Sequence, residues 1–128
     1  FFATAEAIWF VGAKPVFVEI DPDTCNIDVT QIEAAITEKT NAIVPVHLYG
    51  QLADMAAIGE IAKQHNLFVI EDCAHTMGAA WNGRKSGTFG HVGCFSTQSY
   101  KHLNSGEGGL LVSADEQVIA RAILHSGS

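Results

Sequence analysis

Apolar residues recur at helical spacing over residues 3–11, and Gly12 directly behind them is a helix stop. The run PVFVEI over 15–20 is short and β-rich, and it leads into the turn chemistry of Asp21-Pro22-Asp23. Asp28 can cap a helix reaching to about residue 38, with Ile32, Ala35 and Ile36 on one face. An apolar strand is expected at 42–46, followed by a loop at 47–51. Residues 54–65 read as an amphipathic helix that turns Met55, Ile58, Ile61 and Ala62 inward. A buried-type strand at 67–70 ends on the acid pair Glu71-Asp72. The glycine-rich stretch 78–93 holds Asn82-Gly83, a strong turn signal. Strands are expected at 92–96 and 109–112, and a closing helix at 115–124.

Strand–helix alternation in the first half implies right-handed crossovers and a largely parallel sheet. The later strands are not joined by helices and are free to pair differently. The expected fold class is therefore α/β.

A chain of 128 residues holds one α/β unit with a real core, and no linker or repeat divides it. Hydrophobic residues at 48% against 16% charged suit strands buried on both faces. A formal net charge of −7 argues against a nucleic-acid or membrane-surface partner, either of which favours a basic face. No apolar run approaches the ~20 residues that span a bilayer, and no charged-then-apolar leader opens the sequence. Cys25, Cys73 and Cys94 form no CxxC pair, and the histidines are scattered, so no metal site is expected and a reduced, cytoplasmic thiol set is. The sequence opens at Phe1 and closes just behind a helical pattern, which reads as an internal fragment of a longer protein.

In open α/β sheets, ligands sit beyond the carboxyl ends of the strands. Three segments end there on polar side chains: Val46-His47, Ile70-Glu71-Asp72 and Phe95-Ser96, the last running on to Lys101. A carboxylate, a hydroxyl and a lysine would thus converge at one sheet edge. Glu71, beside Asp72 in an extended chain, points to the other side and is read as structural.

The stretches EDCAHTMGA (71–79) and FSTQSYKHLNSGEGG (95–109) resemble the DegT/StrS-type sugar aminotransferases, a branch of the fold-type I pyridoxal-phosphate (PLP) enzymes. ATAEAI, PVFVEID, VPVHLYGQ and DMAAI resemble the same family in the same order, so the likeness covers nearly the whole chain. It implies a three-layer α/β/α fold with a mostly parallel sheet, residues 1–128 being part of the PLP-binding large domain without its N-terminal segment and small C-terminal domain. Lys101 would be the lysine that binds PLP covalently and then moves the proton. Asp72 would pair with the pyridine nitrogen and keep it protonated. Ser96 would donate to the cofactor phosphate. His75 matches a position near the cofactor 3′-oxygen where the family often has Gln; a core histidine is the competing reading. Phe1 would stack on the pyridine ring, with a core aromatic as the competitor and Phe2 as the other register.

For Gln98, Glu107, His47 and Tyr49 the resemblance leaves site contact and loop packing both open, and His102 reads as a mere neighbour of Lys101. The implied activity is transamination of a keto-sugar, nucleotide-linked, with glutamate or glutamine as donor, by a homodimer whose second subunit completes each site. An aminocyclitol substrate, a related sugar dehydratase (which has His in place of the lysine) and a non-catalytic regulatory protein are the alternatives. A Rossmann dehydrogenase is disfavoured, because no GxGxxG follows the early strands. By the same reading, the 128-residue piece alone is expected to be inactive and to bind PLP weakly or not at all.

Overall fold

The computed structural model of the chain describes residues 1–127. Its elements in order are α1 (Phe2–Phe10), a 3-10 turn (Val29–Gln31) running into the single turn α2 (Ile32–Ala35), β1 (Ala42–Ile43), α3 (Met55–Gln64), β2 (Phe68–Asp72), β3 (Ala80–Trp81), β4 (Arg84–Lys85), β5 (Val92–Ser96), β6 (Gly109–Val112) and α4 (Glu116–Ser126). A four-stranded sheet is ordered β1-β2-β5-β6, with β1–β2 and β2–β5 parallel and β5–β6 antiparallel. The fold is α/β with a mostly parallel sheet, as expected, and the one antiparallel pair falls where the connection is a loop. Strands β3 and β4 form a separate hairpin. Asn82 and Gly83 both take positive φ, 49° and 79°, the backbone that a two-residue hairpin turn requires.

Helix α3 forms because its period and its cap agree. The Asp54 carboxylate accepts from Ala57 N–H, satisfying one of the free donors of the first turn. Met55, Ile58 and Ala62 are buried on one face, against Ile43, Leu67 and Val69 of the strand region and Ile32 of α2. Each of the larger side chains buried there, Ile, Leu, Val or Met, stabilises the fold by about 1.5–3 kcal/mol. As the crossover between parallel β1 and β2, α3 fixes the direction in which both strands end.

Three expected elements come out differently. Residues 15–20 form no strand. Pro15 has no N–H to give a ladder, and the only pairing among the described residues is the bridge Ile20–Ile27 around a turn in which Asp21 Oδ1 accepts from Asp23 and Thr24 N–H. The helix from Asp28 is capped as expected, through Thr30 N–H, yet it ends at Ala35 because Ile36 is extended (φ −75°, ψ 135°) ahead of the Thr37–Thr40 turn. The strand at 42–46 keeps two paired residues and a bridge, Val46–Asp72, since Pro45 cannot donate. In contrast, β2 runs two residues beyond its expected end and carries Asp72 to the sheet edge.

Candidate active site

Strand β2 is held on both sides at its carboxyl end. Asp72 N–H donates to Pro45 O (2.9 Å), Asp72 O accepts from His47 N–H (3.0 Å), and Cys73 N–H donates to Cys94 O of β5 (2.8 Å). Behind it the chain turns at once. Ala74 N–H donates to Asp72 Oδ1 (3.1 Å) and Thr76 N–H to Cys73 O (3.0 Å), which brings the His75 ring back over the same edge. The second Asp72 oxygen accepts from Thr4 Oγ1–H at 2.6 Å. A carboxylate has about four lone-pair sites, so both oxygens retain capacity for a further donor.

In the neighbouring strand Asp72 is opposite Cys94, and β5 continues to Ser96, whose hydroxyl accepts from Gln98 N–H (3.3 Å). The loop beyond is clamped at its base by Thr97 N–H to Gly108 O (2.9 Å), Ser105 N–H to Thr97 O (2.8 Å) and a Thr97–Ser105 hydroxyl contact (2.9 Å). Lys101 sits half-buried on this loop, with its ammonium 5.8 Å from the centroid of the Phe1 ring. Phe1 itself is 88% exposed, so it faces the edge and is not a core aromatic.

His75 reports on the charges around it. Burial pushes its ring below the ordinary histidine range, and the Lys101 ammonium pushes the same way; Asp72 pulls upward, and His102 and the N-terminus add to the downward side. The net effect is downward, which favours the neutral form of the ring. Its Nδ1 is buried and has no hydrogen-bond partner, against the expectation of a core histidine satisfied by backbone. Asp72 and Lys101 thus both act on His75, while among the described residues no ion pair joins them to each other.

The remaining sequence candidates separate. His47 is fully buried, so it makes no substrate contact: its Nε2 lies 2.9 Å from Glu71, also fully buried, and its Nδ1 accepts from Ala53 N–H (3.1 Å). Glu71 is indeed on the far side of the strand from Asp72. Burial alone would raise its carboxyl, but the bonds from His47, Gly90 N–H and Gly87 N–H hold it below the usual carboxylate range. Gln98 spends its side chain on Tyr100 N–H (3.0 Å), and Glu107 is exposed, its loop using the backbone carbonyl (Ser105 Oγ–H, 3.1 Å). His102 is exposed.

One residue of the edge, Thr4, was not singled out by the sequence, and another, Tyr49, was left open between site contact and loop packing. Thr4 lies three residues after Phe1, hence on the same helix face, and that spacing was the available signal. Tyr49 stacks on His75 (centroids 5.8 Å apart, planes at 18°) from a left-handed backbone, φ 51°, that a bulky residue rarely adopts. A separate open groove of about 620 Å³, lined by Asp21, Asn26, Gln51 and Trp81 among others, contains none of these residues. The edge, with its convergent polar groups, is the better candidate for chemistry.

The profile of the DegT/DnrJ/EryC1/StrS aminotransferase family matches residues 1–126. Among similar proteins, the pleiotropic regulatory protein of Geobacillus stearothermophilus is 55% identical over 119 residues, covering 92% of this chain and 32% of its own. L-glutamine:2-deoxy-scyllo-inosose aminotransferase of Streptomyces kanamyceticus is 50% identical over 123 residues, covering 96% and 29%. The solved structure of DesI in the presence of its TDP-sugar product superposes with a TM-score of 0.94 at 40% identity, over 98% of this chain and 32% of that one. The chain spans about a third of the length of the curated relatives it matches.

Proposed function

Because the chain belongs to the DegT/DnrJ/EryC1/StrS aminotransferase family, we propose that this protein is a PLP-dependent aminotransferase that converts a keto-sugar, nucleotide-linked, into an amino-sugar. The observation that carries the reading is the shared edge. A carboxylate (Asp72), an amine (Lys101), a hydroxyl (Ser96), an exposed aromatic ring (Phe1) and a buried, unpartnered ring nitrogen (His75 Nδ1) meet at the carboxyl ends of β2 and β5. That donor set fits a flat heteroaromatic cofactor bearing a phosphate and an aldehyde.

When bound, PLP supplies an electron sink for the pair left as a proton leaves the carbon bearing the amine. Asp72, oriented by Thr4 and Ala74, would hold the ring nitrogen's proton. Lys101 Nζ is the amine to which the cofactor would be tied, and once released it is the base that carries the proton at the reacting carbon. Phe1 would cover one ring face and keep water off, Ser96 Oγ would donate to the phosphate, and His75 Nδ1 would meet the ring oxygen. The lowered His75 pKa, from burial and the Lys101 charge, favours a ring that would offer that nitrogen as a single donor or acceptor.

A glutamate or glutamine donor is supported by the glutamine in the name of the Streptomyces relative, and that relative also favours an aminocyclitol ring as the second substrate reading. A regulatory role, the name borne by the Geobacillus relative, leaves the convergence of Asp72, Ser96 and Lys101 without a reason. The homodimer is supported by the apolar side chains that α1 and β6 leave exposed, and a cytoplasmic location by three free cysteines.

The test is chemical. Borohydride treatment of the PLP-loaded protein should fix the cofactor onto Lys101, as located by peptide mass, and Lys101→Ala should remove both the visible band and turnover. Activity surviving in Lys101→Ala would end the assignment.

A further inference from the structure

Glu71 has no part in the chemistry above, yet few side chains are tied so firmly. Its carboxylate is fully buried and accepts from three donors: His47 Nε2–H (2.9 Å), Gly87 N–H (2.8 Å) and Gly90 N–H (2.6 Å). Because His47 Nδ1 must accept from Ala53 N–H, the histidine proton lies on Nε2 and points at Glu71. One carboxylate thus joins the segment leaving β1, strand β2 and the loop entering β5.

Each of those three segments delivers a residue to the sheet edge. The first carries Tyr49, stacked on His75; the second carries Asp72; the third leads through β5 to Ser96 and Lys101. The loop also lies hard against the sheet. A Cβ placed on Gly93 would come within 2.3 Å of Gly87 Cα, and one on Gly90 within 2.7 Å of Val69 O. Nothing can be inserted between loop and strands, so lifting the loop off Glu71 displaces β5 with it.

We infer that Glu71 is a positioning residue which, through His47, Gly87 and Gly90, sets where Asp72 stands relative to the β5 loop bearing Lys101. The inference rests on the aminotransferase reading of that edge. Catalytic and cofactor constellations tolerate displacements of only about 0.5 Å. Glutamine at 71 keeps the size but offers one acceptor oxygen where three donors converge, and it turns its own N–H₂ toward a backbone N–H.

The experiment uses the full-length protein loaded with PLP and compares wild type, Glu71→Gln and Ile58→Val, the last a core change on α3 that lowers stability elsewhere in the fold. Two quantities are read: the PLP dissociation constant, and the midpoint of the pH titration of the visible cofactor band. Glu71→Gln should weaken PLP binding at least ten-fold and move the midpoint, whereas Ile58→Val should stay within two-fold with its midpoint unmoved. A Glu71→Gln protein within two-fold of wild type, or an equal loss in Ile58→Val, overturns the inference. If Glu71→Gln does not fold, His47→Leu keeps the carboxylate and removes one donor; it should weaken PLP binding at least three-fold, and no change overturns the proposal. A wild type that gives no borohydride-stable label on Lys101 brings down the aminotransferase reading and this inference together, an outcome distinct from the others.

Discussion

Adjacent residues on a strand face opposite sides, and at positions 71 and 72 the two sides differ in chemistry as well as direction. Asp72 is half-buried at an edge with Thr4 on its carboxylate, whereas Glu71 is sealed among the His47 ring and two backbone donors. The Glu71 carboxyl is held below its ordinary value of 4.5 in the native state. As pH falls below that value the unfolded chain binds the proton first, so the stabilisation is complete above it and is lost as pH drops through the lower native value. Urea midpoints measured on the full-length protein should therefore fall more steeply below pH 4.5 in wild type than in Glu71→Gln; parallel slopes would rule this out. At neutral pH the same variant should lose about 1–3 kcal/mol for the donor left unmet. That Asp72 and Ser96 end neighbouring strands at one sheet edge was legible in the sequence through the strand-end rule, while Lys101 and Phe1 were expected to act there only from the family resemblance. The His47–Glu71 pair was not legible, since its partners are 24 residues apart and nothing local marks a histidine as buried. Cys73 shows the same limit. Burial, with help from the Glu71 charge, lifts its thiol to about 12, which makes it inert despite its place beside Asp72.

Elements were readable where propensity, periodicity and capping agreed. Helix α3 differs from its expected span by one residue at each end, because its apolar stripe and the Asp54 cap both specify it. Residues 15–20 had the composition of a strand without a neighbour to pair with, and composition cannot supply one. Two glycines follow from this contrast. Gly59 lies in the exposed middle of α3 with open space at its Cβ position, so Gly59→Ala should raise stability by about 0.5–1 kcal/mol. Gly93→Ala should instead lower it sharply, since backbone and not a movable side chain stands in the way. Thermal melts of the two variants should move in opposite directions, and a shared direction would contradict the packing described.

Across the molecule, apolar surface is distributed unevenly. Helix α1 buries none of its residues, with Phe2 77%, Trp9 69% and Phe10 74% exposed, and β6 leaves Leu110 half in solvent at 51%. Patches of this kind mark interfaces. The 128-residue chain produced alone should bind an apolar fluorescent dye and associate, and it should show no transaminase turnover; a monodisperse, dye-silent, active chain would contradict both expectations. Among the described residues no helix is long and apolar enough to cross a membrane. The Thr4–Asp72 hydrogen bond has a different kind of consequence. It joins helix α1 to the end of β2, between residues 68 apart in the chain. Contacts of such long range close late and slowly, after local helices and turns have formed. Capture of the cofactor would then act as a clock for the end of folding: a chain that has collapsed without docking α1 would have its lysine and carboxylate in place and still lack the constraint that aims them.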